Sequence, residues 1–452
     1  MKPEFLKLLR CPYCGSDFEI GDIYEEKEGE INYGCIECAC DEFPVIEGIL
    51  SLEIGDRKRH VLESLKKGKW NQAARYLMKA YVEDTCRIAA FLERKRFYGA
   101  PLSKILLFAV DNLIKHTHKK YWDTEPSFCD LLDKNDFYSK HRFSAESFWS
   151  IYPFIPLLKQ NKKRILDIGC GRGHSSFVIS TYISPDELVC ADRNFRNLYL
   201  AKKYMVKDAN FVCLDANYPL PFKNKVFSST IMLDSFHYVD ARALLAAEIE
   251  RTLLPEGLLL LLHVHNSLVH NTGAGKPLPP WAWINLFKHF DIRALPERKL
   301  IEDFILRNKL DLTKEYPTNE LNASNALCIV GTRDKSLFRT FDKVWDDFIK
   351  NKDNLMINPL YEIKREGSQV ALQRKSPNDL FNKEYPLTMR YLPQRCVLDG
   401  ELFKSMESRA LSIIPEELSV ETLNYIENLM KKFVIINLPK GYWYGEDKKK
   451  RR

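Results

Sequence analysis

The stretch Arg164–His174, RILDIGCGRGH, constrains the fold of this chain more than any other segment. A short apolar run ends at Asp167, and three glycines follow at alternate positions, 169, 171 and 173. Glycine lets the backbone approach a ligand closely, because it has no Cβ. A helix that begins after such a loop directs its free N–H groups toward the same place. The pattern therefore predicts a strand–loop–helix unit that binds a nucleotide-like cofactor.

The spacing of these glycines distinguishes between two classes of cofactor. Dinucleotide-binding enzymes show G-x-G-x-x-G, whereas this chain has D-x-G-x-G-x-G. The spacing therefore disfavours an NAD-dependent oxidoreductase. It resembles the first motif of class I S-adenosylmethionine (SAM) methyltransferases.

Strand-like and helical patterns alternate between residues 162 and 334. Such alternation predicts an α/β fold with a mostly parallel sheet covered on both faces. The strand candidates are Arg164–Ile168, Glu187–Ala191, Asn210–Leu214, Ser229–Leu233, Leu258–Val264 and Leu327–Thr332.

The resemblance extends over about residues 151–331 and implies a Rossmann-like, seven-stranded sheet. It implies that Asp167 and the glycine loop contact the methionine end of SAM, that Asp192 binds the ribose and that Asp215 binds the adenine. An alternative for Asp215 is a helix N-cap, a common role for an acid after a strand. Ser228 departs from the family pattern, in which an aspartate is common. The implied cofactor-binding residues are Asp167, Gly169, Cys170, Gly171, Gly173, Asp192, Asp215 and Leu233.

Two C-x-x-C pairs near the amino terminus predict a metal site. Cys11 and Cys14 form the first pair, and Cys35 and Cys38 form the second. Two such pairs about twenty residues apart can bind one Zn²⁺ through four thiolates. Cys40 offers a fifth sulfur, which we interpret as a bystander. Residues 1–52 resemble the small zinc-ribbon protein that activates tRNA and protein methyltransferases, which implies a structural zinc ribbon.

The remaining regions are predicted from periodicity and composition. Residues 53–150 form a predicted helical segment before the methyltransferase-like domain at 151–334. Residues 335–452 form a small α+β unit with a basic tail. In that unit we expect an amphipathic helix over 337–348 and a hairpin that pairs 361–363 with 370–372. No segment is apolar for long enough to span a bilayer.

Histidines near the ends of the fourth and fifth predicted strands are candidates for acid–base chemistry. His237 and His265 are the candidates for a general base, which methyl transfer needs only if the acceptor must lose a proton. The alternative is that they are hydrogen-bonded wall residues. A metal site that involves His263, His265 and His270 is a further alternative.

These patterns together predict a SAM-dependent methyltransferase with SAM and zinc as its cofactors. We expect a small-molecule, sugar, lipid or peptide acceptor ahead of RNA, because basic residues are interleaved with acids and no asparagine-proline-proline-tyrosine type motif follows the fourth predicted strand. The alternatives are an RNA methyltransferase and a non-catalytic subunit of a complex. The ribbon or the carboxyl-terminal unit could bind a protein partner. The absence of a secretory signal and the expectation of reduced thiols predict a cytoplasmic location.

Overall fold

The structure is a computed structural model of the chain. It describes residues 1–78, 128, 132, 136–160, 163–271, 275–350, 355–366, 369–398, 406–407, 410–411 and 419–442. Most of the helical segment predicted over 53–150, and the basic tail at 448–452, lie outside the described residues.

The described residues form twenty strands and fifteen α-helices. The strands are β1 (Glu19–Lys27), β2 (Glu30–Glu37), β3 (Glu42–Ile46), β4 (Ile49–Ser51), β5 (Ile165–Ile168), β6 (Leu188–Asp192), β7 (Asn210–Cys213), β8 (Phe227–Leu233), β9 (Leu253–His265), β10 (Asp291–Pro296), β11 (Lys309–Asp311), β12 (Ala326–Thr332), β13 (Thr340–Asp342), β14 (Leu355–Ile357), β15 (Tyr361–Glu366), β16 (Gln369–Arg374), β17 (Arg395–Leu398), β18 (Met406–Glu407), β19 (Ala410–Leu411) and β20 (Ile435–Asn437). The helices are α1 (Asp56–Lys66), α2 (Trp70–Met78), α3 (Phe137–His141), α4 (Glu146–Trp149), α5 (Ile155–Gln160), α6 (His174–Ser180), α7 (Phe195–Tyr204), α8 (Arg242–Thr252), α9 (Pro280–Asn285), α10 (Glu297–Arg307), α11 (Thr318–Asn322), α12 (Trp345–Lys350), α13 (Asp379–Glu384), α14 (Pro386–Tyr391) and α15 (Val420–Lys431).

One mixed sheet of eleven strands organises the molecule, in the order β1-β2-β3-β4-β7-β6-β5-β8-β9-β12-β10. The run from β7 to β9 is parallel, and β12 and β10 add antiparallel strands at one side. Successive residues of β5 enter different apolar cores, Ile165 on one face and Leu166 on the other. Both faces of the sheet are therefore buried, as expected for a largely parallel sheet between layers of helix. All six strand candidates lie in this sheet.

The amino-terminal unit continues the same sheet and does not form a separate body. Strand β4 pairs in parallel with β7, with Leu50 opposite Val212 and Ser51 opposite Cys213. Leu9 and Phe5 also belong to the apolar core that contains Leu166. Folding of residues 1–52 is consequently coupled to the edge of the central sheet.

The carboxyl-terminal unit contains two small antiparallel sheets. One has the order β18-β19-β14-β20 and the other has the order β15-β16-β17. The predicted hairpin is present with Ile363 opposite Leu372, but Tyr361 pairs with Arg374 and Val370 pairs with Arg365. The helix predicted over 337–348 is wrong in its first half, because β13 pairs with β11 there and α12 begins only at Trp345. None of the helices in the described parts of the chain is long and apolar enough to cross a lipid bilayer.

Candidate functional site

The glycine loop connects β5 to α6 in a conformation that favours glycine at three positions. Gly169, Gly171 and Gly173 have φ angles of 70°, 54° and 83°. A Cβ on Gly169 would lie 2.6 Å from Cβ of Ser235, and one on Gly173 would lie 2.8 Å from Cβ of Ala201. A Cβ on Gly171 would meet no atom within 4 Å. The loop therefore packs closely at both ends and is open in its middle.

The open side of the loop faces a cavity of about 510 Å³. This volume is within the range of small-molecule sites in proteins. The cavity lies outside the carboxyl ends of β5, β6, β7 and β8, where ligands bind in open α/β sheets. Six of the residues implied to bind SAM line it: Gly169, Cys170, Gly171, Asp192, Asp215 and Leu233. Asp167 and Gly173 do not.

The carboxylates that line the cavity include the two predicted ones, Asp192 and Asp215. Asp192 ends β6, and its two oxygens accept hydrogen bonds from the backbone N–H groups of Gly171 (2.9 Å) and Asn194 (2.8 Å). Burial raises the pKa of the Asp192 carboxyl. Asp215 is exposed and accepts from the N–H of Asn217 at 2.9 Å. No helix begins at Asp215, so its predicted alternative role as a helix N-cap is wrong.

Asp167 lies beneath the glycine loop and is fully buried. Its Oδ2 accepts hydrogen bonds of 2.7 Å from the hydroxyls of Ser175 and Ser176, both on α6. Its Oδ1 has no hydrogen-bond partner among the described residues. Burial raises the pKa of Asp167 to about 6. In this structure Asp167 joins β5 to α6 and supports the loop from below.

Replacing Asp167 by asparagine should change how stability depends on pH. An unfolded aspartate has a pKa of about 3.9, so the folded protein binds this proton more tightly than the unfolded chain. The stability that Asp167 contributes is therefore fully present below about pH 4 and is lost as the pH rises through about 6, by about 3 kcal/mol. We expect Asp167→Asn to lose less free energy of unfolding than the wild type between pH 4.5 and 7.5 in urea titrations. An equal change of the free energy of unfolding with pH in the two proteins would contradict this.

A second cavity of about 660 Å³ adjoins the first. Tyr138, Asp234 and Tyr238 line both cavities. Asp234 follows β8, and its Oδ2 accepts a hydrogen bond of 2.7 Å from the Tyr138 hydroxyl and lies 3.3 Å from Nη2 of Arg142. Burial alone would raise the pKa of Asp234, but His263 and Arg142 hold it below its usual range. Asp234 therefore presents a negative charge where the two cavities meet.

Three histidines surround Asp234. His237 is fully buried and stacks on His265, with ring centroids 4.1 Å apart. Burial lowers the pKa of His237 to about 3 and that of His265 to about 4. His265 and His263 line the second cavity, whereas His237 lines neither. The structure thus leaves His237 without access to an acceptor in these cavities, contrary to its role as a candidate base.

Four cysteine sulfurs come together beside the turn that joins β2 to β3. They belong to Cys11, Cys14, Cys38 and Cys40, and all lie within 4.8 Å of one another. The sulfur of Cys40 lies 3.7 Å from that of Cys11 and 3.5 Å from that of Cys38, and Cys14 lies 4.0 Å from Cys38. Four thiolates about 2.3 Å from one Zn²⁺ would lie about 3.8 Å apart. The donor set therefore fits a tetrahedral zinc ion.

Cys35, which the sequence predicted to be a ligand, does not join this cluster. Cys40 lies in the cluster in its place. Cys35 lies within β2 and enters the same apolar core as Ile165, whereas Cys38 packs against the opposite core. Residues three apart on an extended strand point to opposite faces, so this C-x-x-C pair cannot converge on one ion. Cys40 follows at the turn, two residues beyond Cys38. The expected ligand Cys35 is corrected to Cys40.

Residues 166–261 match the family model described as a methyltransferase domain. None of the curated proteins matches the chain. The match of residues 166–261 to the methyltransferase model supports a class I methyltransferase. The sheet described above is an α/β methyltransferase fold with additional strands.

Solved structures with partial likeness include several methyltransferases. A possible histamine N-methyltransferase from Thermotoga maritima is 17% identical and covers 44% of this chain and 93% of its own, with a TM-score of 0.30. A SAM-dependent methyltransferase from Aquifex aeolicus is 14% identical over 44% of this chain and 97% of its own, also with a TM-score of 0.30. A chain from the complex of a methyltransferase activator with a putative methyltransferase from Haloferax volcanii is 12% identical and covers 41% of this chain and 96% of its own, with a TM-score of 0.30.

The methyltransferase domain is completed by residues that sequence analysis did not single out. Tyr138 and Arg142 come from the segment before the domain and contact Asp234. Glu297, the first residue of α10, contacts Nδ1 of His263 at 2.8 Å. Arg172 of the glycine loop pairs with Asp136. Each pair joins distant parts of the chain, so no local motif could have indicated it.

Proposed function

We propose that this protein is a SAM-dependent methyltransferase that holds its cofactor in the 510 Å³ cavity and its acceptor in the adjoining one. The observation that carries this proposal is the meeting of the two cavities at Asp234 and Tyr138. Methyl transfer requires that donor and acceptor meet in line without intervening protein. The arrangement supports this, because the two cavities are adjacent and share Asp234, Tyr138 and Tyr238 in their walls.

The residues of the first cavity fit SAM. The loop at Gly169–Gly173 is open at its middle glycine, Gly171, so the backbone there can contact the methionine portion. Asp192 offers a carboxylate to the ribose hydroxyls, and Asp215 offers one to the adenine amine. When bound, SAM supplies a methyl group that is already activated on a sulfonium. The protein's task is then to orient the acceptor and to exclude water.

The second cavity favours a small polar acceptor over RNA. Its wall carries both signs of charge, with acidic Glu146 and Glu320 beside basic Arg298, Lys299 and Lys383. Nucleic-acid sites are usually lined by positive charge that follows the phosphates. A cavity of about 660 Å³ suits a small molecule or a peptide side chain. His265 and Asp234 lie on its wall near the junction, where they can orient the reacting atom.

We also propose that Cys11, Cys14, Cys38 and Cys40 hold a structural zinc ion. Four sulfurs would complete its coordination, which leaves no open position for catalysis. The ion would cross-link the strand ends next to β4, the strand that pairs with β7. In this way the ribbon supports the edge of the methyltransferase sheet. A protein partner could bind the same ribbon.

The acceptor class can be tested with SAM that carries an isotopically labelled methyl group. The full chain is incubated with a small-molecule extract, or with total tRNA and rRNA, and each fraction is examined by mass spectrometry. We expect label in the small-molecule fraction and none in RNA. An Asp192→Ala variant is the control for cofactor-dependent transfer. Label in RNA alone would overturn the assigned acceptor class, and no label in any extract would count against the enzymatic function.

A further inference from the structure

We propose that Asp234, His237 and His265 form a binding site for a divalent transition-metal ion, with His263 as a fourth donor. One donor atom from each of the first three residues lies within 4.8 Å of the others. Nε2 of His237 lies 3.7 Å from Oδ1 of Asp234. Ligands about 2.1 Å from a tetrahedral ion are about 3.4 Å apart, so the donors are near the spacing that one ion requires.

Unsatisfied nitrogens provide the second and independent observation. Both ring nitrogens of His237, and Nδ1 of His265, have no hydrogen-bond partner among the described residues. His237 is 0% exposed and His265 is 7% exposed. A buried polar atom without a partner costs about 1–3 kcal/mol, and such atoms are uncommon in folded proteins. Coordination of an ion would satisfy one of the two His237 nitrogens.

His263 has the carboxylate partner on one ring nitrogen that is typical of a metal-binding histidine. Its Nδ1 lies 2.8 Å from Oε2 of Glu297, a residue that is itself buried. With Nδ1 protonated, the ring would coordinate through Nε2 once an ion displaces the proton there, and Nε2 lies 3.2 Å from Nε2 of His265 and 3.9 Å from Oδ1 of Asp234. Carboxylates commonly orient metal-ligating histidines in this way.

The backbone at the two sides of the cluster is also unusual. Asp234 and His263 have φ angles of 57° and 55°, in the left-handed region that non-glycine residues rarely adopt. Such conformations cost free energy and cluster at functional sites. Here they turn both side chains toward His265.

A pair of hydrogen-bonded histidines does not explain the whole arrangement. One imidazole could donate to the other across the 3.2 Å between His263 and His265. His237 would then remain stacked on His265 with both nitrogens unsatisfied. The donor set of imidazoles and one carboxylate suits Zn²⁺, Fe²⁺ or Co²⁺ and differs from the four thiolates of the cysteine cluster.

The site lies where the cofactor and acceptor cavities meet. With four protein donors, an ion there would use a fifth coordination position to bind an oxygen or nitrogen atom of the acceptor from the second cavity, which His263 and His265 line. That role rests on the proposed function, whereas binding of the ion does not. The acceptor class that follows is a molecule with a metal-binding hydroxyl, carboxylate or amine next to the methylated atom.

The test is a Co²⁺ titration of the full, metal-stripped chain, followed by optical absorption. Cobalt in the cysteine cluster produces a thiolate charge-transfer band, whereas cobalt bound by imidazole and carboxylate produces only the weaker d–d bands. We expect His237→Ala and His265→Ala each to bind one Co²⁺ fewer than the wild type, with the thiolate band unchanged. Glu297→Gln should bind the same number, with about 10- to 100-fold weaker affinity for the affected ion.

The matched control is His270→Ala, which alters an exposed histidine that lines the same cavity. It should bind as many ions as the wild type. Far-ultraviolet circular dichroism establishes whether each variant is folded. If an alanine variant is not folded, Asp234→Asn is titrated in its place. Equal Co²⁺ stoichiometry in the wild type and the folded variants would overturn the proposed site. Because the titration contains neither SAM nor an acceptor, failure of methyl transfer would leave its outcome unaffected.

Discussion

Replacing Asp192 by alanine is expected to weaken SAM binding by about 100-fold or more. The carboxylate lies at the end of β6 and lines the cofactor cavity. Two charge-assisted hydrogen bonds to ribose hydroxyls contribute about 3 kcal/mol together, which corresponds to that factor. Isothermal titration calorimetry of the full chain measures the change directly.

Two further variants separate cofactor contact from loop distortion. Asp192 also accepts hydrogen bonds from Gly171 and Asn194, so its loss could disturb the glycine loop. Asp192→Asn retains one accepting oxygen and should weaken binding by about 10-fold, the loss of one charge-assisted bond. Glu256→Ala, which alters an exposed residue of β9, should bind as the wild type does. Unchanged affinity in Asp192→Ala would remove this residue from the cofactor site.

The second large effect concerns Cys40 and the zinc cluster. Cys40→Ser should lower the bound zinc measured by elemental analysis and lower the Tm by at least about 5 °C, because structural zinc contributes directly to folding free energy. The loss should extend to the central sheet, since β4 pairs with β7. The same Tm change is expected when a chelator removes zinc from the wild type.

Cys35→Ala is the matched control for this effect. Cys35 is a buried thiol near Glu42 and Tyr24 and lies on the opposite face of the sheet from the cluster. Its replacement should reduce stability through packing but leave the zinc content unchanged. If Cys35→Ala lost zinc and Cys40→Ser retained it, the ligand set deduced from the structure would be wrong.

Six strands of the central sheet were predictable because their signals are local, whereas the joining of β1–β4 to it, which makes eleven strands in place of the expected seven, was not. The glycine loop and each of the six apolar strands can be recognised from a short continuous stretch of sequence. The hairpin at 361–374 is recognised from a turn between two runs of alternating apolar and polar residues. Strand β10 was missed, since Asp291–Pro296 has no continuous apolar run. Its place in the sheet depends on antiparallel pairing with β12, which involves residues far along the chain.

The errors at the candidate sites have the same physical origin. C-x-x-C spacing suggested that Cys35 and Cys38 converge, but spacing alone does not reveal that β2 continues to Glu37 and separates their faces. His237 follows the fourth predicted strand, where site residues are expected, yet its ring is fully buried in the fold. The partners of Asp234 and His263 lie on α3 and α10 or beside them, so only tertiary structure brings them together.

The central claim is that the cavity beside the glycine loop binds SAM. A calorimetric titration of the wild-type full chain with SAM, and separately with NAD, tests it most directly. We expect saturable binding of one SAM per chain and no detectable binding of NAD. Absence of SAM binding by the folded protein, or binding of NAD in its place, would contradict it.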